Sequence, residues 1–329
     1  MAQRGEHAMT PVTAAGAQKP GPIEVVLARA ALGAEVRGVD LTKIDDAMFD
    51  RLHDIWLENL LLVFRGQRFA AEDLVTLVRR FGTPVTSSAL HKRGLEERTA
   101  NKVFNLPPEV TVVTNVKENG KSVGILGDGE VVWHSDFSFK EAPTAARMLL
   151  AVEIPPAGGL TYFTNCYAAY DTLPDAMKRR LSGMTIKQAN IVDTAMQVRP
   201  GASLDMDIRE VPGPSHPVIS THPETGRNMI FLGRRHGAYV NGLSLEDSEA
   251  LLDELWAHTV QPKFTYVHEW AVGDVVVWDN RATLHRRDAF QSDSRRVLYA
   301  AQVEGHRPCE AADALALPAH ARYAQTAVA

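Results

Sequence analysis

Apolar residues along this chain follow two different periods. Over residues 43–60 they recur in steps of three and four (Ile44, Met48, Leu52, Ile55, Trp56, Leu60), the spacing of an amphipathic helix. Leu61-Leu62-Val63-Phe64 is a continuous apolar run of buried-strand length, closed by Arg65-Gly66-Gln67. A second helix is predicted over residues 71–81, with Leu74, Leu77, Val78 and Phe81 on one side. From 103 to 303 the runs shorten, and turn residues separate them. Two strand-like runs flank Pro107-Pro108 within 103–115. Further strands are expected at 146–154 and 160–164, on either side of Pro155-Pro156-Ala157-Gly158-Gly159. A hairpin with Gly226 at its turn joins 216–220 to 228–232, and strands follow at 264–270, 274–278 and 296–303. Helices interrupt at 167–181, where Pro174 opens the second part, and at 245–259, capped by Ser244 with Asp247 three residues on. This pattern predicts a mainly β fold with flanking helices, an antiparallel sandwich or jelly roll.

The remaining stretches are weakly patterned. Residues 1–22, rich in Ala, Gly, Pro, Thr and Gln, read as a disordered leader, and 306–329 as an Ala-rich tail. Between them, 23–305 reads as a single domain with lid-like insertions near 83–130 and 188–215, because long unpatterned loops in compact domains often cover sites. No Gly-rich phosphate loop, dinucleotide fingerprint or internal repeat appears. A formal net charge of −5 gives no overall basic character, so neither nucleic acid nor an anionic membrane is an expected partner. The two cysteines, Cys166 and Cys309, lack ligand-like spacing and read as free thiols. With no membrane-span run and no signal-peptide core, a cytoplasmic location is expected.

The candidate chemistry lies in Trp133-His134-Ser135-Asp136-Phe137-Ser138-Phe139, the one place where His-x-Asp occurs. Aromatic and β-branched neighbours predict a strand, on which residues i and i+2 share a face. His134 and Asp136 would then stand side by side. A second His from a distant strand would complete a two-His, one-carboxylate set that leaves positions open on a non-haem Fe(II). His285, beyond the buried strand 274–278 and the turn Asp279-Asn280-Arg281-Ala282, is placed to enter a barrel mouth. Alone, His134 and Asp136 are as readily a hydrogen-bonded structural pair. All three also suit a non-redox, cupin-like metal enzyme or binding module.

Trp133-His134-Ser135-Asp136, the Gly158-Gly159-Leu160-Thr161 turn, and Trp278-Asp279-Asn280-Arg281 with His285 and Arg296 resemble the taurine dioxygenase and 2,4-dichlorophenoxyacetate dioxygenase group of Fe(II)/2-oxoglutarate-dependent dioxygenases. The likeness spans roughly residues 23–305 and includes Gly33-Ala34-Glu35-Val36 and the Leu62-Val63-Phe64-Arg65-Gly66-Gln67 strand. It implies a double-stranded β-helix in which His134, Asp136 and His285 hold Fe(II). It further implies that Thr161 and Arg296 bind the distal carboxylate of the co-substrate 2-oxoglutarate, with O2 as oxidant and succinate and CO2 released. A small organic molecule would be hydroxylated, with C–O, C–N or C–S cleavage where the product is unstable. Asp136 stands where Ala or Gly would vacate a halide position, which favours hydroxylation over halogenation. A homo-oligomer is compatible with the resemblance.

The substrate end departs from the group. The Arg expected four residues beyond Arg296, which binds a sulfonate or carboxylate, is Ala300, and Thr86-Ser87-Ser88 stands where taurine enzymes place a substrate-binding His. Arg234, Arg235 or Arg147 could supply the missing charge, and Phe137 and Arg234 are taken as substrate contacts. Trp133, Trp278 and Phe139 are expected as core aromatics, Arg295 as a surface ion pair, and His91, His222 and His268 as structural or exposed.

Overall fold

The computed structural model describes residues 23–86 and 103–310. The expected leader, residues 87–102 of the first insertion (with Ser87, Ser88 and His91) and 311–329 of the tail lie outside the described residues.

Two sheets face each other. The larger has eight strands in the order Glu24–Leu27, Ala34–Arg37, Leu61–Phe64, Val275–Asp279, Ala146–Glu153, Val297–Gln302, Thr111–Thr114 and Ile125–Leu126. The smaller runs Thr265–His268, Thr161–Asn165, Thr283–Arg287 and Val131–His134. Alternation along the strands of the larger sheet sorts side chains into two cores. Leu61, Val63, Leu149, Ala151, Val276, Trp278, Leu298 and Ala300 face the space between the sheets. Leu62, Phe64, Met148, Leu150, Val275, Val277 and Ala301 face the other way and pack with Leu52, Trp56, Leu74 and Val78. Those last four come from the helices Asp46–Asn59 and Ala71–Phe81, so this sheet is buried on both faces and its strands read as continuous apolar runs.

The helix ends follow from local chemistry. Asp45 caps the first helix by accepting the Met48 N–H at 2.8 Å, and Leu60 ends it in a left-handed conformation. Ser244 accepts the Asp247 N–H at 3.0 Å and so starts Leu245–Thr259. Gly158 and Gly159 both take positive φ, 78° and 66°. A Cβ on Gly159 would lie 3.3 Å from Arg296 Nε, so the glycine pair lets the backbone pass over that guanidinium.

Three expectations change. The run before Pro107-Pro108 is not a strand: Asn105 takes φ 49°, and the Val110 N–H turns back to the Pro107 carbonyl, leaving only Thr111–Thr114 extended. The Gly-rich 117–130 segment carries the small pair Lys117–Glu118/Lys121–Ser122 and the strand Ile125–Leu126, which joins the large sheet in parallel. Finally, the strand carrying His134 stops there, and Asp136 lies in the following turn.

Candidate metal and co-substrate site

His134 and His285 sit directly opposite each other on adjacent antiparallel strands, with ring centroids 4.1 Å apart. His134 Nδ1 is 2.8 Å from the Val132 carbonyl, which makes Nδ1 the protonated nitrogen and leaves the Nε2 lone pair free. His285 is held by ring packing instead, against Trp278 at 5.0 Å and Phe163 at 5.9 Å. Asp136 enters from the turn. Its Oδ1 is 3.6 Å from His134 Nε2, and its Oδ2 is 3.6 Å from His285 Nε2. One donor atom from each residue lies within 4.8 Å of the others.

Asp136 reaches this point without strand alternation. Asn280 supplies the missing rung: its Oδ1 accepts the Asp136 N–H at 2.9 Å, and its Nδ2 donates to the Asp136 carbonyl at 3.0 Å. Arg147 Nη1 lies 2.8 Å from Asp136 Oδ1. Arg147 is therefore tied to Asp136, while Arg234 makes no such contact with the triad's carboxylate. Sequence reasoning missed both ties. Arg147 alternates with Met148 and so shares the inward face of Leu149 and Ala151, a signal that could have marked it.

The electrostatics suit a divalent cation. Burial pushes the Asp136 carboxyl up, but the Arg147 guanidinium and the two imidazoles outweigh that and hold it well below the usual carboxylate range. Burial, then the neighbouring His134, pushes His285 well below its ordinary value, so it is neutral and able to ligate. Asp136 Oδ2 is buried with no hydrogen-bond partner among the described residues. A hard carboxylate oxygen and two imidazole nitrogens converging on one point are the donor set of a non-haem Fe(II) centre, so the residues fit that ion.

The triad opens into a cavity of about 810 Å³ whose wall includes Thr161, Arg147, Arg234, Arg287 and Arg296. Arg296 is 2% exposed. It lies between the rings of Trp270 and Phe290, at 5.9 and 5.8 Å, and its Nε has no partner among the described residues. Burial, then the positive charge of Arg287, opposes its protonated form, and no acid among the described residues compensates. Thr161 Oγ1 accepts the Trp270 indole N–H at 2.9 Å, which leaves its own proton free to donate elsewhere. A buried, unpaired guanidinium beside a free hydroxyl fits a carboxylate.

At the other side, the backbone of Arg234 bridges to His134. Its guanidinium is 4% exposed, donates to the Val192 carbonyl and lies 5.3 Å from the Phe139 ring. Burial, then Arg199, lowers it to about 10, against the pull of Asp136 and Asp193. Arg235, one residue on, points outward to Glu249 and Asp253. Phe137 takes φ 56°, lines the cavity and packs at a tilt against Phe139, which also lines it and is not simply a core ring. Trp278 is buried as expected, whereas Trp133 is half-buried against Tyr162. Arg295 pairs with Glu153 at the surface, and Ala300 sits in the core between the sheets. His222 and His268 are fully buried, paired with Asp279 and Asp274.

The sequence profile described as "Taurine catabolism dioxygenase TauD, TfdA family" matches residues 24–302. The chain belongs to this family. It is 29% identical over 294 residues to the (S)-phenoxypropionate/alpha-ketoglutarate-dioxygenase of Delftia acidovorans, covering 88% of this chain and 98% of that one. It is 35% identical over 285 residues to pentalenolactone F synthase of Streptomyces arenae, covering 82% and 91%. The crystal structure of a putative alpha-ketoglutarate-dependent taurine dioxygenase from Burkholderia xenovorans superposes with a TM-score of 0.69 at 27% identity, covering 88% and 91%. The fold is accordingly the jelly roll of that family. The chain is an Fe(II)/2-oxoglutarate-dependent dioxygenase that hydroxylates a small molecule and uses O2. Family membership decides against the non-redox use of the triad. Among the described residues, no helix of this dioxygenase is long and apolar enough to cross a membrane.

Proposed function

We propose that His134, Asp136 and His285 hold the iron, that Arg296 and Thr161 bind the distal carboxylate of 2-oxoglutarate, and that the second substrate is a small organic acid whose anion meets Arg234. Bound iron would supply the redox chemistry that couples oxidation of the keto acid to succinate and CO2 with hydroxylation of a substrate C–H. The carrying observation is Arg296, a buried cation on the wall that holds the triad, with no acid beside it among the described residues. An uncompensated buried charge is costly, and a carboxylate that arrives with each turnover offsets the cost.

The same reasoning extends to the substrate. Arg234 remains buried and lacks an ion pair among the described residues, while Ala300 removes the cation that the resemblance expects. Phe137 and Phe139 border that side and suit an apolar body attached to the anion. The Delftia relative's name, a phenoxypropionate dioxygenase, supports an acid of this kind. Where the new hydroxyl shares a carbon with O, N or S, the product would fragment by C–O, C–N or C–S cleavage. A cytoplasmic setting fits a chain with two cysteines, of which Cys166 is a buried thiol. A homo-oligomer rests on the resemblance alone, and sedimentation velocity tests it.

The deciding experiment is a screen for succinate formation with Fe(II), 2-oxoglutarate and matched sets of carboxylates, sulfonates and their neutral esters or amides. Acids should stimulate succinate release and their neutral counterparts should not. Full turnover by His134→Ala or Asp136→Ala would refute the ligand assignment, and equal use of neutral analogues would refute the anion.

A further inference from the structure

The Trp278-Asp279-Asn280-Arg281 segment is not in contact with either proposed co-substrate anchor, yet it is braced at many points beside the site. Asn280 is 1% exposed and every polar atom of its amide is occupied. Besides its two bonds to Asp136, its Nδ2 donates to the Thr144 carbonyl at 2.8 Å and approaches Thr144 Oγ1 at 3.1 Å. Its backbone takes part as well. The Asn280 carbonyl accepts the Ser135 hydroxyl at 2.9 Å, and its N–H donates to the Ala145 carbonyl at 2.9 Å. One residue therefore clamps both ends of the 136–144 loop.

The residues on either side fix the clamp. Asp279 is fully buried and accepts from His222 Nε2 at 2.9 Å and from Arg281 at 2.9 and 2.6 Å. Arg281 also reaches Glu224 at 2.6 Å, and Glu224 is 3.3 Å from His53 on the first helix. Trp278 packs edge-on against the His285 ring at 5.0 Å. The turn thus contacts two of the three triad residues and is tied to the helical layer behind the sheet.

We infer that Asn280 is the positioning residue for Asp136: its amide replaces the strand pairing that ends at His134 and sets the carboxylate at the distance the two imidazoles require. This rests on Asp136 being an iron ligand. Both halves of the amide are needed, because the acceptor takes the Asp136 N–H while the donor faces two carbonyls and a hydroxyl. A carboxylate at position 280 would keep the first bond and set a negative charge against the Asp136 and Thr144 carbonyls. Loss of this clamp should be felt as metal affinity, since supporting bonds to ligand residues typically carry a ten- to hundredfold effect.

The test is anaerobic Fe(II) titration of Asn280→Asp and Ser135→Ala, with thermal unfolding followed in parallel. Asn280→Asp should weaken Fe(II) binding at least tenfold and shift or bleach the visible band formed with 2-oxoglutarate. Ser135→Ala, which deletes one oxygen and cuts one tie from the Asp136 side, should weaken it about threefold even if Asn280→Asp proves insoluble. Leu252→Ala, a core change in a distant helix, is the control that should lower the melting temperature and leave Fe(II) affinity unchanged. Soluble variants at 280 or 135 that melt earlier but bind Fe(II) as the parent does would overturn the inference. Asp136→Ala separates the two claims: if it too leaves Fe(II) binding unchanged, the ligand assignment fails first.

Discussion

The two walls of the cavity bury the same kind of group on different supports. On one wall, Thr161 lies in a strand paired on both sides, and Arg296 directly precedes a strand held on both sides in the larger sheet. Trp270 donates to the threonine and flanks the guanidinium, and Gly159 lies against it. On the other wall, Arg234 lies between the short strands Asn228–Ile230 and Ala238–Val240. It is steadied by the carbonyl of Val192, itself in an irregular segment closed on itself by the bridge to Val198 and the Arg199 N–H on the Ile191 carbonyl at 2.8 Å, outside both main sheets. Phe137 joins it from a left-handed turn. A group borne on paired strands is held rigidly, while one borne on loops can change without disturbing the core.

The largest expected effect comes from breaking the sheet-borne wall. Arg296→Leu should weaken 2-oxoglutarate about a hundredfold, about 2.7 kcal/mol, because it removes a charged partner from a buried carboxylate. The same change should raise the melting temperature of the protein without co-substrate, since an uncompensated buried charge disappears from the folded state. Isothermal titration and thermal unfolding read the two effects. A variant that lost stability without co-substrate would mean that Arg296 has a structural partner, and the contrast between the walls would fail.

How far each wall was legible follows from the same difference in support. The triad was readable because His-x-Asp is rare and His285 follows a strongly apolar strand, and the core strands were readable because both faces of the larger sheet are buried. The local reason given for Asp136 was wrong. Its rung comes from Asn280, a residue 144 positions away, and no local pattern encodes such a tie. On the loop wall, Arg234 and Arg235 are neighbours of equal chemistry. Only the path of the backbone beside His134 turns the first inward and the second towards Glu249 and Asp253. Ala300 pointed to a missing charge, but the burial of Arg234 beside the cavity, on which its proposed replacement rests, depends on tertiary structure.

A smaller effect should come from the loop wall. Arg234→Met keeps the apolar stem and removes the charge, so it should raise the KM of an acidic substrate about tenfold while 2-oxoglutarate affinity stays within twofold. Steady-state kinetics with each substrate varied in turn checks this. If 2-oxoglutarate affinity fell as far as that of the substrate, the two walls would be one electrostatic unit.

The smallest effect sharpens the contrast through pH. His222, behind the turn that carries Asn280, uses both ring nitrogens: Nδ1 accepts the Glu224 and Thr225 N–H groups, and Nε2 donates to Asp279. A second ring proton would cost Nδ1 its two bonds. Burial, then the positive Arg281, holds its pKa below the ordinary 6.5 despite the pull of Asp279. Because the folded value is the lower one, the unfolded chain binds the proton first. Stability from this group is therefore complete above about pH 6.5 and declines as pH falls, by at most about 1.4 kcal/mol per pH unit for one proton. His222→Gln keeps a donor for Asp279 and cannot titrate. It should cost about 1 kcal/mol at pH 8 and give a shallower loss of stability between pH 6.5 and 5, read by denaturant unfolding at each pH. An unchanged slope would assign the acid sensitivity to other buried histidines, such as His216 and His268, which burial also depresses. The brace behind Asn280 would then be indifferent to pH in this range.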